Sequence, residues 1–256
     1  MVKEDMKNVH LALAITVLTI AIMTAGCSSV TKDKDILFQT SMYSILSEGD
    51  YEGDLTYGEL KQHGDFGIGT FDGLDGEMIA LDGEFYQIKA DGKAYPAGDA
   101  METPYAVVTF FEPDKAIALD NVHSYELLKG YLDSQLPTRN IFYAVKIEGV
   151  FEYIKARSVP AQRQPYPTLD EALKGQTIFE FNDVAGTLVG FWCPDYIGGI
   201  NVPGYHLHFI TSDRKAGGHL LECRVQNAKA EIDYTSEFFM ELPADQEFYK
   251  LNIEAK

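Results

Sequence analysis

Basic residues are scarce in this chain of 256 residues. The sequence has 21 lysines and arginines against 39 aspartates and glutamates, which gives a formal net charge of -18 at pH 7. Because no basic stripe offsets the repulsion between such a protein and phosphate groups, the charge argues against a nucleic-acid partner. The same charge disfavours an anionic ligand unless a metal ion or an arginine supplies a local positive charge where it binds.

Cysteine is also scarce, and the three residues of this type are Cys27, Cys193 and Cys223. None of them belongs to a Cys-x-x-Cys pair, so the sequence does not support zinc bound by thiolates. Cys27 falls at the end of an N-terminal targeting segment, which leaves Cys193 and Cys223 as either a disulfide or two buried free thiols. A His-Glu-x-x-His motif is absent too, and protease chemistry of that type is therefore not supported.

An apolar run over residues 11–25 precedes the small residues around Cys27. The run is shorter than the roughly 20 residues that a transmembrane helix needs, and a cysteine after small residues resembles the cleavage site of bacterial lipoproteins. We therefore expect residues 1–26 to be a lipoprotein-type signal peptide, Cys27 to be the site of lipid attachment and residues 27–34 to be a tether. Thr24 stands where that motif usually has an aliphatic residue, so a plain secretory signal or an uncleaved anchor is the alternative.

The expected destination of the protein follows from this segment. We expect export, followed either by anchoring at the cell surface through the N-terminal lipid or by secretion, with no other membrane contact. Met6 is an alternative start of translation, because Glu4 and Asp5 weaken the positive charge that normally precedes the apolar run. The folded domain is placed at residues 35–256.

Short strands separated by glycine turns dominate this domain. Strands are predicted over residues 67–71, 77–81, 84–89, 105–111, 142–158, 177–194 and 204–232. The Asp82-Gly83 pair between two alternating apolar runs indicates a hairpin. Helices are predicted over residues 36–46, 57–61, 123–136 and 168–173. In the last of these, Thr168 and Glu171 have the spacing of a capping box.

The chain after the tether has no linker rich in proline, glycine or serine, which argues against two independent domains. We predict an α/β (α+β) fold of mixed and antiparallel β-sheets in two intimately joined halves, with a few flanking helices. The N-terminal half is placed at about residues 35–140 and the C-terminal half at about residues 141–256.

Three of the six histidines lie in a segment that is typical of one β-hairpin. His206 and His208 are two residues apart in an apolar run, so on a strand both imidazoles leave the same face. If the chain turns at residues 213–214, His208 lies opposite His219 and the three side chains form one cluster. Three imidazoles with an open side are typical of catalytic zinc rather than structural zinc.

Other interpretations of these histidines are open at this point. A lone histidine in a strand is usually a structural or surface residue, and His10, His63 and His123 lie in no comparable pattern. The His-x-His spacing also resembles cupins, which would make the protein a metal-dependent dioxygenase or isomerase. The glutamate that commonly follows the pair in cupins is missing, because Ser212 occupies the nearby position, so this interpretation ranks second.

Several ordered segments carry a further resemblance. They are residues 67–71 (GIGTF), 75–78 (DGEM), 81–86 (LDGEFY), 103–111 (TPYAVVTFF) and 186–191 (GTLVGF), together with the segment around Arg157 and the histidine hairpin. No single segment suffices. Together they resemble the bacterial alpha-acetolactate decarboxylase family from about Leu37 to the C-terminus.

This resemblance implies roles for particular residues. The residues that it assigns to a zinc ion (Zn²⁺) are His206, His208 and His219. It implies active-site roles for Arg157, for Glu77 and for a glutamate of the C-terminal tail, to which Glu254 is the nearest match. It also implies that Thr70 lines the substrate pocket and that the protein is a homodimer.

The implied activity is decarboxylation of 2-acetolactate to acetoin, with 2-aceto-2-hydroxybutyrate as a further candidate substrate. The carboxylate of 2-acetolactate is β to a ketone, so the electron pair left by carbon dioxide would move onto the ketone oxygen. Zinc at that oxygen would stabilise its negative charge as a metal-bound enediolate. Arg157 would neutralise the carboxylate or the developing charge, and Glu77 or Glu254 would protonate one face of C2. A surface lipoprotein that binds a metal or small ligand without catalysis is a further alternative.

Overall fold

The computed structural model describes residues 34–244 and 248–250. Within these residues the strands are β1 (Ile36–Thr40), β2 (Leu55–Thr56), β3 (Phe66–Thr70), β4 (Glu77–Leu81), β5 (Glu84–Ile88), β6 (Ala94–Pro96), β7 (Glu102–Thr103), β8 (Ala106–Thr109), β9 (Lys115–Val122), β10 (Phe142–Ser158), β11 (Thr177–Cys193), β12 (Gly204–Thr211), β13 (Gly217–Thr235) and β14 (Glu237–Glu241). The α-helices of the same residues are α1 (Tyr43–Ser47), α2 (Tyr57–Leu60), α3 (Tyr125–Asp133) and α4 (Leu169–Leu173). No helix in this part of the chain is long and apolar enough to cross a membrane. The predicted signal peptide and its Cys27 lie outside the described residues.

Two large sheets confirm the predicted α+β fold. The first has the strand order β14-β1-β8-β3-β4-β5-β6, and β1 and β14 form its parallel pair. The second has the order β10-β11-β12-β13-β9, and β10 also pairs with β13, so the ring of β10, β11, β12 and β13 is closed. Strand β9 from the first half of the chain lies in the second sheet, whereas β14 from the end of the chain lies in the first. The two sheets therefore exchange strands and do not separate at one point of the chain.

One hydrophobic core joins the two sheets. It contains Ile79 from the first sheet and Val189 from the second, both fully buried. In β10, Ala144 belongs to this core, whereas the adjacent Tyr143 points to the opposite face of the sheet and belongs to a second core. The second core also contains Phe209 of β12. The second sheet is therefore covered by apolar side chains on both faces, and one of its faces is packed against the first sheet.

The predicted helix over residues 36–46 is wrong in its first half. Residues 36–40 form β1, which pairs with β8 and β14, and α1 begins only at Tyr43. The physical reason is tertiary packing. Leu37 is buried in the core between the sheets, and Phe38 is buried in a third core that also contains Met78 and Val108 of the first sheet. A short apolar run fits a strand buried on both faces as well as a helix, so local spacing could not decide between them.

The capping box predicted at α4 is also wrong. Thr168 occupies the N-cap position, but its side chain makes no capping hydrogen bond, and Glu171 pairs with Lys174. A capping box is present instead at α2. There the Thr56 hydroxyl accepts from the backbone N–H of Glu59, and the Glu59 carboxylate accepts from the backbone N–H of Thr56.

Cys193 and Cys223 are both buried free thiols, so the structure does not contain the disulfide that the sequence left open. Burial raises the pKa of each thiol to about 12, and both are therefore protonated at neutral pH. Cys193 belongs to the core between the sheets and Cys223 to the second core, where each packs as a small apolar side chain.

Close packing between β11 and β12 gives a testable prediction about Gly190. A Cβ atom at this position would lie 2.0 Å from the backbone oxygen of His206, far inside van der Waals contact. Gly190→Ala should therefore lower the free energy of unfolding by roughly 1–3 kcal/mol or more, as overpacking of a core does.

Gly130→Ala is the matched control for this substitution. Gly130 lies within α3, and an added Cβ would have no atom within 4 Å. The change should stabilise the protein by up to about 1 kcal/mol, because alanine has the higher helix propensity. Thermal unfolding followed by circular dichroism measures both variants, and a midpoint for Gly190→Ala at or above wild type would contradict the packing described.

Candidate metal centre and active site

The histidine hairpin has the predicted register. Strands β12 and β13 place His208 directly opposite His219, so the turn is centred at residues 213–214. His206 lies two residues before His208 in the same strand. The ring centroids of His206 and His219 are 4.9 Å apart, and His208 lies 5.2 Å from each of them. The three imidazoles therefore form the cluster that strand alternation and hairpin geometry predict.

The three histidines offer ring nitrogens that all lie within 4.8 Å of one another. Burial lowers the pKa of each imidazole, and the positive charge of Arg157 contributes to the lowering in all three. For His206 the pKa falls to about 4, and for the other two it lies well below the usual value. All three rings are therefore neutral at neutral pH, with lone pairs that can bind a cation.

Two ring nitrogens of the cluster are buried without a hydrogen-bond partner, namely Nδ1 of His206 and Nε2 of His208. A buried polar atom without a partner costs about 1–3 kcal/mol, so such atoms are rare unless a ligand satisfies them. Three neutral nitrogens beside an open cavity suit a transition metal such as zinc, with coordination positions left for a substrate. The residues present can therefore hold a metal ion.

A hydrogen bond between the two sheets orients His208. Its Nδ1 lies 2.9 Å from the backbone oxygen of Met78 in β4, and because a carbonyl only accepts, this nitrogen carries the proton. Nε2 is then the nitrogen that can bind a metal, and the Met78 carbonyl fixes the tautomer and the ring orientation. The carboxylate oxygen Oε2 of Glu77 lies 3.6 Å from this Nε2, and since the imidazole is neutral the contact is not an ion pair.

Glu77 begins β4 beside the histidines and is 8% exposed. Burial raises the pKa of its carboxyl to about 7, while the positive charge of Arg157 acts in the opposite direction. Thr70 lies opposite Glu77 in the neighbouring strand, and its hydroxyl donates to the backbone oxygen of Gly76 at 2.7 Å. Thr70 therefore fixes the backbone that carries Glu77, and its hydroxyl proton is already engaged.

Arg157 lies near the end of β10, where it pairs with His219 of β13. Its Nη1 is buried and has no hydrogen-bond partner, so this donor is available to an anionic ligand. Gly218 permits the close approach of the two strands, because a Cβ there would lie 2.5 Å from the backbone oxygen of Arg157. The next residue, Ser158, donates its hydroxyl to the backbone oxygen of Ile88 at 2.7 Å and ties β10 to the first sheet.

A single cavity of about 240 Å³ collects these side chains. Its wall includes the site residues predicted from the sequence, namely Thr70, Glu77, Arg157, His206, His208 and His219. The remaining wall is largely apolar or aromatic and comes from Tyr43, Leu46, Gly69, Leu74, Tyr105, Val159, Leu169, Val202 and Tyr205. This second group was not predicted from the sequence, because its residues have no spacing pattern of their own. Glu254 lies outside the described residues, so its role stays a prediction.

Comparison with known proteins identifies relatives over most of the chain. Residues 37–255 match the family model described as Alpha-acetolactate decarboxylase. The chain is 53% identical over 219 residues to an alpha-acetolactate decarboxylase of Methanosarcina mazei, which covers 86% of this chain and 76% of that protein. It is 49% identical over 207 residues to that of Methylococcus capsulatus, covering 81% and 80%. The crystal structure of alpha-acetolactate decarboxylase from Bacillus subtilis strain 168 has a TM-score of 0.83 at 40% identity, covering 85% of this chain and 93% of that one.

Together with the fold and the three-histidine site, these likenesses identify an enzyme of the carboxy-lyase class. More narrowly, the chain belongs to the alpha-acetolactate decarboxylase family. Both the family and the enzyme class predicted from the ordered sequence segments are therefore confirmed.

The geometry of the cluster predicts the effect of removing one imidazole. His208→Ala should abolish stable metal binding, because the two remaining nitrogens form an incomplete ligand set. His123→Ala is the control, since His123 is exposed and lies outside the cluster. Metal content per chain, measured by plasma mass spectrometry after dialysis, should be about one for wild type and for the control. Equal metal content in His208→Ala would refute the assigned ligand.

Proposed function

We propose that this protein catalyses the zinc-dependent decarboxylation of 2-acetolactate to acetoin. The observation that carries the proposal is the cluster of three neutral imidazoles in one cavity with the Arg157 guanidinium and the Glu77 carboxyl. The two proteins named above that align with 86% and 81% of this chain carry this activity in their names. 2-Aceto-2-hydroxybutyrate is a second proposed substrate.

The proposed metal ligands are His206, His208 and His219. Zinc bound to them would act as a Lewis acid for the ketone oxygen, which accepts the electron pair left when the bond to the carboxylate breaks. The protein's own contribution begins with the orientation of the ligands, since the Met78 carbonyl holds the Nδ1 proton of His208.

Arg157 binds the negative charge of the substrate in this proposal. The unpartnered Nη1 can donate a hydrogen bond to the substrate carboxylate or to the oxygen on which charge develops. In a chain with a net charge of -18, this local cation also offsets the repulsion of an anionic substrate.

Glu77 is the proposed proton donor to C2. Its carboxyl is buried beside His208. A proton donor held on one side of the substrate would give a single enantiomer of acetoin. Glu254 is the alternative proton donor implied by the family resemblance. Thr70 positions the strand that carries Glu77 through its bond to the Gly76 carbonyl.

The remaining expectations from the sequence also stand as proposals. They are a homodimer, a signal peptide over residues 1–26, a lipid on Cys27 and export to the cell surface or beyond. Mass spectrometry of the mature protein isolated from the membrane fraction would test the lipid directly, since acylation at Cys27 adds a defined mass. A mature N-terminus elsewhere without acylation would contradict it.

The activity is tested with purified, zinc-loaded protein and racemic 2-acetolactate. We expect release of carbon dioxide, measured by gas evolution, together with one enantiomer of acetoin, measured by chiral chromatography. Absence of both products at full zinc occupancy would overturn the proposal. Turnover that requires oxygen with bound iron or manganese would instead favour the dioxygenase alternative.

Arg157→Ala should lower kcat/KM by about 10²–10³, as the loss of a preorganised donor does in other enzymes. Metal content should be unchanged, because Arg157 is not a ligand. Lys155→Ala is the matched control: Lys155 lies two positions earlier in the same strand, pairs with Glu222 and does not line the cavity. Equal kcat/KM in Arg157→Ala and Lys155→Ala would remove Arg157 from the proposed mechanism.

A further inference from the structure

The cavity wall contains a tyrosine, Tyr105, that has no role in the proposed mechanism. The hydroxyl oxygen of Tyr105 is buried and has no hydrogen-bond partner within the described residues, and the residue as a whole is 2% exposed. Tyrosine hydroxyls in protein interiors usually find a partner, because an unsatisfied one costs about 1–3 kcal/mol. Tyr105 lines the cavity that contains the histidines, so a bound molecule can supply the missing acceptor.

The backbone of Tyr105 is fixed from two sides. Its carbonyl oxygen accepts from the backbone N–H of Thr70 at 3.0 Å. The Thr103 hydroxyl lies between the backbone oxygens of Thr70 and Tyr105, at 2.7 Å and 3.1 Å, and can donate its proton to either. Gly69 allows β3 to come this close, because a Cβ on Gly69 would lie 2.5 Å from the same carbonyl oxygen. The residue is therefore anchored directly to the strand that ends at Thr70 in the cavity wall.

The ring of Tyr105 is buried and has an aromatic neighbour. It packs edge to face against Tyr43 at a centroid distance of 6.3 Å, and Tyr43 also lines the cavity. Burial raises the pKa of the Tyr105 hydroxyl well above its usual value, with smaller contributions from Cys193 and Tyr43. The group is therefore a neutral donor at neutral pH, and its position is set before any ligand binds.

We propose that the Tyr105 hydroxyl donates a hydrogen bond to an oxygen of the 2-hydroxy-3-oxo acid bound in this cavity. This inference rests on the proposed function for the identity of the substrate. The substrate has carboxylate, hydroxyl and ketone oxygens, each of which accepts hydrogen bonds, so it offers acceptors for the Tyr105 hydroxyl as well as for Arg157. Tyr105 thus joins Arg157 as a substrate-contacting donor, and it contributes from the first sheet while Arg157 contributes from the second.

Tyr105→Phe tests the proposal because it removes only the hydroxyl. We expect kcat/KM for 2-acetolactate to fall by about tenfold or more, the range found for hydrogen bonds to charged groups. The unfolding midpoint should be unchanged or higher, since the variant loses an unsatisfied buried polar atom. Zinc content should equal that of wild type, because Tyr105 is outside the ligand cluster.

Tyr51→Phe is the matched control. The Tyr51 hydroxyl is also buried without a partner and the side chain is fully buried, but Tyr51 does not line the cavity. This variant should show the same unchanged or higher unfolding midpoint as Tyr105→Phe, with wild-type kcat/KM. The pair thus separates the general effect of removing a buried hydroxyl from a contact with the substrate.

Binding of 2,3-dihydroxy-2-methylbutanoate, measured by calorimetry with the zinc-loaded proteins, gives a second readout. In this analogue the ketone is reduced, so it has no electron sink for decarboxylation. Weaker binding to Tyr105→Phe than to Tyr51→Phe means that the hydrogen bond already exists in the ground state. Equal binding with a lower kcat means that the bond forms as the reaction proceeds, and both results support the contact.

Three results would overturn the inference while wild type remains active. The first is kcat/KM and analogue binding within twofold of wild type for Tyr105→Phe. The second is an equal loss in Tyr51→Phe, and the third is a loss accompanied by a lower unfolding midpoint, which would make the hydroxyl structural. An inactive wild-type enzyme overturns the proposed function itself, so the two failures are distinguishable.

Discussion

Two hydrogen bonds between the sheets hold the active site together. In one, the Nδ1–H of His208 donates to the Met78 carbonyl, and in the other the Ser158 hydroxyl donates to the Ile88 carbonyl. Each joins a side chain of the second sheet to a backbone oxygen of the first. Because Glu77 lies on the first sheet and the histidines lie on the second, the cavity exists only while these sheets keep their relative position. The chemistry of the site is thus set by packing between sheets as much as by either sheet alone.

One guanidinium affects the pKa of the histidines and of the glutamate in the cavity. Arg157 helps to lower the pKa of all three imidazoles, and it opposes the effect of burial on the carboxyl of Glu77. It also gives a strongly acidic protein one positive group where an anion would bind. Exclusion of water is the largest cause of the neutral imidazoles and of the raised pKa of Glu77, and Arg157 reinforces the first effect and opposes the second.

Features encoded by short-range patterns were predictable from the sequence. Strand alternation and a short turn suffice to bring His206, His208 and His219 together, and the predicted bounds of β10 agree with those observed. The first half of the helix predicted over residues 36–46 was wrong because burial on both faces, which depends on β8 and β14, decides the conformation of β1. Local spacing carries no information about such partners.

The apolar wall of the cavity was unpredictable for the same reason. Tyr43, Tyr105 and Val202 meet there from separate parts of the chain, and no two of them share a spacing that would mark them. Arg157 and Glu77 were identified only through the family resemblance, since on composition alone each is one charged residue among many. Sequence patterns thus predict the cluster of three histidines, while the shape of the cavity depends on long-range packing.

The parallel pairing of β1 with β14 has a consequence for how the chain reaches its folded state. These strands come from opposite ends of the domain, so during synthesis β1 has β8 on one side and an unsatisfied edge on the other until residues 237–241 are available. Open strand edges are templates for intermolecular pairing, and contacts between distant residues slow folding. The first sheet therefore cannot close on this side before residues 237–241 have been synthesised, and its completion comes late in the folding of the domain.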